Sequence, residues 1–234
     1  IWAQAFFYNE NITRVTFSAE LPEGNELKIE PQAFWWCESL AYVQLPKGLK
    51  TIPEGLFNYC DVLEEIYIPN TVTLIEHQAF SGCKALKKVT YEEGTEPLEF
   101  ADGKAQSTSE GMYYYSVFSG CTNLKNFVFP ERTTKIGDYM FDSGSDRYGP
   151  QTPSAVESVY IPAGVTTLGK YLFYQATNLK SVTFGDGFEL TEIPENMFYK
   201  TKITQITIPE GVETIGKYAF AYTELKSVSI PASV

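Results

Sequence analysis

The sequence predicts a repeat solenoid of the α/β class, in which short strands alternate with connecting segments. Three observations carry that reading. A phenylalanine recurs at positions 6, 34, 57, 80, 118, 141, 173, 198 and 220, most often at an interval of 23 residues. An aliphatic residue stands five places before most of these anchors, and another five or six places after them. A short alternating apolar run then follows and usually ends at a proline. Self-similarity at such a period marks units that bury no core alone but share one when stacked.

Each part of the unit has a physical reason. The residue ahead of the anchor is Ile29, Ile52, Ile75, Ile136, Leu168, Ile193 or Ile215, and the one behind it is Ile12, Leu40, Leu63, Leu86, Leu124, Leu179, Ile203 or Leu225. The alternating pairs include Val15/Phe17, Val43/Leu45, Ile66/Ile68, Val89/Tyr91, Val159/Ile161 and Val182/Phe184. A period of two with β-rich side chains means a half-buried strand, and the nine runs predict about nine short strands. Pro46, Pro69, Pro130, Pro162, Pro209 and Pro231 end their runs because proline brings no ladder donor. The segments around the anchors read as irregular or short helical. The whole of 1–234 is expected to form a single solenoid trimmed at both ends, with insertions near 92–116 and 142–155 that lengthen two intervals. The opening residues show no initiator Met and no leader pattern, so no targeting signal is read from them.

The combination I-P-x-x-V-x-x-I-x-x-x-A-F followed by C-x-x-L-x-x-V is clearest over 68–89 and returns in the last unit as Ile208-Pro209, Val212, Ile215 and Ala219-Phe220. It resembles the BspA-like leucine-rich repeats of bacterial surface and secreted proteins. That resemblance implies a right-handed coil with one parallel sheet. It further implies a non-catalytic protein-binding or adhesion module at the cell surface or outside the cell, with a host or bacterial surface protein or glycan as partner. A structural spacer presenting another domain is the alternative. An enzyme has the least support.

Composition narrows the partner class. Eighteen Lys and Arg against 29 Asp and Glu give a net charge of −11, which argues against a nucleic-acid surface and a basic membrane-binding face. No apolar run approaches the roughly 20 residues that span a bilayer. No motif calls for a cofactor or a metal. Cys37, Cys60, Cys83 and Cys121 each lie three residues after an anchor, without C-x-x-C spacing, and read as small buried thiols. His77 falls in a column of Glu54, Asp138, Lys170, Glu195 and Lys217, so it is expected at the surface. The stretch 142–146 only faintly resembles a calcium loop, since the closing glutamate is missing.

The outward positions of the strands then give the candidate binding surface. Tyr42, Glu65, Tyr67 and Lys88 fall on neighbouring strands of the N-terminal half, whereas the C-terminal half offers Ser181, Thr183, Thr207, Ser227 and Ser229. Tyrosines beside charges suit recognition, because Tyr brings contact area at low entropic cost. The acidic residues after Tyr91 are expected to form a rim next to that patch. Tyr113 stands five places before its anchor and reads as core. Tyr114 and Tyr115 fall where other units carry glycine or polar residues, and join the candidate site as exposed rings.

Overall fold

The computed structural model describes residues 1–17, 27–108, 111–141 and 154–234, with backbone alone for 105–108 and 111–115. Among them the strands are, in chain order, β1 (Arg14–Thr16), β2 (Tyr42–Gln44), β3 (Thr51–Ile52), β4 (Glu65–Ile68), β5 (Leu74–Ile75), β6 (Lys88–Tyr91), β7 (Leu98–Phe100) and β8 (Lys104–Thr108). They continue as β9 (Gly111–Tyr115), β10 (Asn126–Val128), β11 (Thr133–Ile136), β12 (Ser158–Ile161), β13 (Thr167–Leu168), β14 (Ser181–Phe184), β15 (Glu192–Ile193) and β16 (Thr214–Ile215).

The alternating runs form the first ladder. β1 pairs with β2, β4 with β6, and β10 with β12 and then β14, all parallel. Thr207 and Ser229 add one parallel bridge. Equal phases face each other: Val15 meets Val43, Ile66 meets Val89, and Val159 meets Val182. Three of these strands, β4, β6 and β12, end directly before Pro69, Glu92 and Pro162, which begin the next turn.

The sequence predicts one sheet, and the fold holds two parallel ladders. The aliphatic residue five places before most anchors sits in a second stack, ordered β13-β11-β7-β5-β3, with β15 and β16 pairing beyond it. These strands are mostly two residues long, too short for a period of two to show in sequence. Phe100 rather than Tyr113 fills this column in the longest unit, opposite Ile75 and Ile136. Tyr113 instead pairs with Gln106 in the antiparallel hairpin β8–β9. The first insertion therefore divides in two: a turn at 92–97 after the first ladder, and a hairpin at 104–115 after the second. The second insertion, including the faint calcium pattern, lies at 142–153, outside the described residues.

The anchors stack into a column. Successive rings from Phe6 through Phe34, Phe57, Phe80, Phe118, Phe141, Phe173 and Phe198 to Phe220 lie 5.0 to 5.9 Å apart, with interplanar angles of 3° to 21°. No helix occurs among the described residues, and the segments around the anchors are tandem turns. The reason lies in the backbone. Residues two before and two after the anchor adopt positive φ in most units, as at Gln32 (60°), Trp36 (61°), Gly55 (60°) and Tyr59 (60°). Such residues interrupt any helix and cost roughly 1 kcal/mol or more each outside glycine. Hydrogen bonds to the next unit offset that cost: the Phe34 N–H donates to the Leu56 carbonyl at 3.2 Å, and the Phe57 N–H to the Ala79 carbonyl at 2.9 Å. At Gly82 (φ 74°) a Cβ would stand 2.7 Å from Tyr59 Cδ1, so glycine there lets the ring lie against the backbone.

Polar groups lock unit to unit. Each Cys thiol donates to the carbonyl of the preceding anchor, as from Cys83 Sγ to Phe57 O at 3.1 Å and from Cys121 Sγ to Phe80 O at 3.2 Å. All four cysteines are free and buried. Ion pairs repeat at one-unit spacing, between Lys84 and Asp61 (2.5 Å), Lys87 and Glu64, and Lys180 and Glu157 (2.6 Å). Arg132, only 9% exposed, reaches across the inserted turn. Its Nη1 donates to Val72 O at 2.7 Å and Glu96 O at 3.0 Å, its Nη2 to Pro69 O at 3.4 Å. A buried cation needs such acceptors, and these pin the 92–97 turn to the unit before it.

Candidate functional site

The alternation of the first ladder turns Val43, Ile66 and Ile68 inward and leaves Tyr42, Gln44, Glu65 and Tyr67 outside. Tyr42 is 42% exposed and Tyr67 51%. Both are large rings, and neither is covered by the core. The Arg14 guanidinium, carried on the neighbouring strand, lies 4.0 Å from the centroid of the Tyr42 ring. Lys88 stands opposite Glu65 in the β4–β6 register, and Thr90 opposite Tyr67.

Between β2 and β4 the ladder is interrupted. Among the described residues no backbone hydrogen bond joins these two strands, although they are consecutive in the stack. A groove of about 600 Å³ opens at this interruption. Tyr42 and Gln44 border it from one side, Glu65 and Tyr67 from the other, with Val62 and Glu64 at one end. The expected residues Tyr42, Glu65 and Tyr67 thus converge on one feature. Lys88 does not line it and stands one strand further on.

Tyr114 and Tyr115 belong elsewhere. Their backbone lies in β9, paired with Ala105 and Lys104 of β8, and their side chains fall outside the described residues. The hairpin leaves the chain after the second ladder, and among the described strands β8 and β9 pair only with each other. These two tyrosines therefore do not share a strand stack with Tyr42 and Tyr67. The acidic turn does reach the first ladder: Glu92 Oε2 accepts from the Asn70 N–H at 3.2 Å, and Glu92 Oε1 lies 3.9 Å from Lys47 Nζ.

One exposed apolar residue on the groove, Val62, escapes the sequence reading, while Val128 is outward as its strand phase predicts. Val62 is 43% exposed on the groove, and Val128 is 59% exposed on β10. A signal for Val62 exists in its column, where Asn11, Ser39, Asn123, Asn178 and Lys202 are polar and Ala85 is small. Val62 adds apolar area to one end of the groove.

The C-terminal part carries a larger groove, of about 860 Å³, along Ser181, Thr183, Gln205, Thr207, Ser227 and Ser229. It lies beyond β14, where the first ladder continues only as the Thr207–Ser229 bridge. Phe184, Phe188, Ile206 and Val228 also line it, but its outward strand positions carry Ser, Thr and Gln and no exposed aromatic ring.

His77 and the four cysteines are engaged in the fold. His77, expected at the surface, is buried at 9% exposure, and its Nε2 lies 3.2 Å from Glu54 Oε1. The column is polar, but the imidazole is short enough to be covered by its neighbours, and burial lowers its proton affinity against the pull of Glu54. Burial pushes the Cys60, Cys83 and Cys121 thiols up, so they stay protonated at neutral pH. Among the described residues no three His, Cys, Asp or Glu side chains gather to hold a metal. No helix there is long and apolar enough to cross a membrane.

Comparison with known proteins agrees with this architecture. Residues 1–100, 108–146 and 151–234 match the family described as BspA type leucine rich repeat region, in six copies. A crystal structure of a leucine-rich repeat protein from Bacteroides ovatus is similar at 24% identity and TM-score 0.67, over 94% of this chain and 55% of that one. One from Eubacterium ventriosum is similar at 26% identity and TM-score 0.55, over 84% and 49%. The leucine-rich repeat protein of T. pallidum shares the fold at 21% identity and TM-score 0.57, over 80% and 76%. The chain spans about half the length of the first two. No curated protein matches it.

Proposed function

The chain belongs to the BspA-type leucine-rich repeat family, and from that premise we propose that it is a non-catalytic binding module that docks a host or bacterial surface protein on the N-terminal half of the first ladder. The observation that carries this reading is the groove at the β2–β4 interruption, flanked by the exposed rings of Tyr42 and Tyr67. Aromatic anchors supply much of the energy of protein interfaces, and they do so where a partner can surround them. Val62 adds apolar area at one end, while Glu65 and Gln44 give directional contacts. A module of this kind works at the cell surface or outside the cell, where such partners are met.

The test is an array of purified extracellular matrix proteins, bacterial surface proteins and glycans, probed with the full chain. At least one protein is expected to bind the wild type and to bind the Tyr42→Ala/Tyr67→Ala double variant far more weakly. Both side chains point away from the core, so the variant keeps its thermal midpoint within a few degrees. Binding confined to glycans would move the ligand class, and a flat profile would favour a spacer that presents another domain.

A further inference from the structure

We propose that the occupant of the β2–β4 groove is an arginine side chain presented by the partner protein. This deepens the docking reading above and rests on it. The groove has the composition of a receptor for a planar cation. Two carboxylates, Glu64 and Glu65, and two phenol rings, Tyr42 and Tyr67, line it, and no Lys or Arg of this chain does.

The two carboxylates are not equivalent. Glu64 is taken by Lys87 of the next unit. Glu65 is exposed, and no cation stands within ion-pair distance of it among the described residues, although Lys88 is its register neighbour. Lys87 feels the charge of Glu65 but pairs with Glu64, so the Glu65 carboxylate oxygens remain open to an incoming group. The Tyr42 ring shows the geometry such a group adopts. Arg14 lies 4.0 Å from its centroid, approaching from the β1 side. The β4 side of Tyr42 borders the groove, where a second guanidinium can lie against the ring while its fork meets Glu65. Guanidinium combines these two contacts better than ammonium, because it is planar, stacks on rings and donates in a fixed fork. The net charge of −11 draws a basic partner toward the chain without choosing the site. The ring pair and the free carboxylate choose it.

The probe is capped arginine, N-acetyl-arginine amide, with the isosteric neutral N-acetyl-citrulline amide beside it, titrated into the full chain and followed by backbone amide NMR. Capped arginine is expected to shift residues 41–45 and 62–67 with a dissociation constant of about a millimolar, as befits so small a ligand. Citrulline amide, and arginine amide against the Glu65→Gln variant, are each expected to bind at least fivefold more weakly. Glu213→Gln removes the same charge at a remote exposed position and is expected to change nothing. Equal shifts from citrulline, unchanged binding in Glu65→Gln, an equal loss in Glu213→Gln, or shifts that avoid these residues would each overturn the proposal. A partner from the array that is lost with Tyr42→Ala/Tyr67→Ala yet indifferent to Glu65→Gln would leave docking standing and remove the arginine. A partner indifferent to the double tyrosine variant would remove the docking reading itself.

Discussion

The N-terminal and C-terminal halves of the first ladder share a backbone and differ in what they show to solvent. Both stack parallel strands over the same ring column, and Phe57 and Phe198 are each fully buried within it. On the outside, one half carries Tyr42, Val62, Glu65 and Tyr67, and the other Ser181, Thr183, Thr207 and Ser229. The larger groove is in the second half, and the richer one is in the first. The contrast teaches that the larger groove on a repeat protein need not carry the exposed rings. The two halves differ in the outward columns, which the stacking does not constrain.

If the halves differ only outside, their cores should respond alike. Phe80→Ala and Phe198→Ala are each expected to cost about 3–5 kcal/mol in urea denaturation, as fully buried rings leave large cavities. A gap of more than about 2 kcal/mol between the two would show that the column is not uniform, and would weaken the comparison at its base.

A second pair separates packing from backbone strain. Gly82 and Gly187 both have positive φ, at 74° and 81°, but an added Cβ meets the Tyr59 ring at 2.7 Å in the first and nothing within 4 Å in the second. Gly187→Ala is expected to cost about 1 kcal/mol from φ alone. Gly82→Ala is expected to cost about 1–3 kcal/mol more, since the ring must shift. Equal melting temperatures for the two variants would mean that the Tyr59 contact is loose.

The smallest effect concerns acid. His77 has no counterpart in the C-terminal half, where the same column carries Glu195 and Lys217. Burial lowers its proton affinity in the folded chain, so the unfolded chain takes up the proton first, below about pH 6.5. Stability is therefore retained above that pH and lost as pH falls toward the lower folded value. The stability difference between wild type and His77→Gln should accordingly shrink from pH 7.5 to pH 5. A difference that grows on acidification would mean that the Glu54 pairing outweighs burial.

Much of this was legible in the chain, and the omissions share causes. The anchors, the strand phases and the outward columns followed from period and alternation, because the same packing problem recurs in every unit. The second ladder did not, since a two-residue strand such as Thr51–Ile52 has no period to detect. The substitution of Phe100 for Tyr113 was hidden by the hairpin, which moves the true column member 18 residues ahead of its anchor instead of five. The Arg132 clamp depends on an inserted turn whose path no local pattern gives. The site was half visible: alternation exposed Tyr42 and Tyr67, but only the interruption between β2 and β4 separates Glu65, on the groove, from Lys88, beyond it.

Hydrogen–deuterium exchange of the complex with a protein partner from the array tests the central claim most directly, because it reads both halves of the first ladder in one experiment. Slowed exchange is predicted at 41–45 and 62–67, with 181–184 and 205–208 exchanging as in the free chain. Protection that falls on the C-terminal strands or on the β8–β9 hairpin, and leaves 41–45 and 62–67 unchanged, would contradict the account.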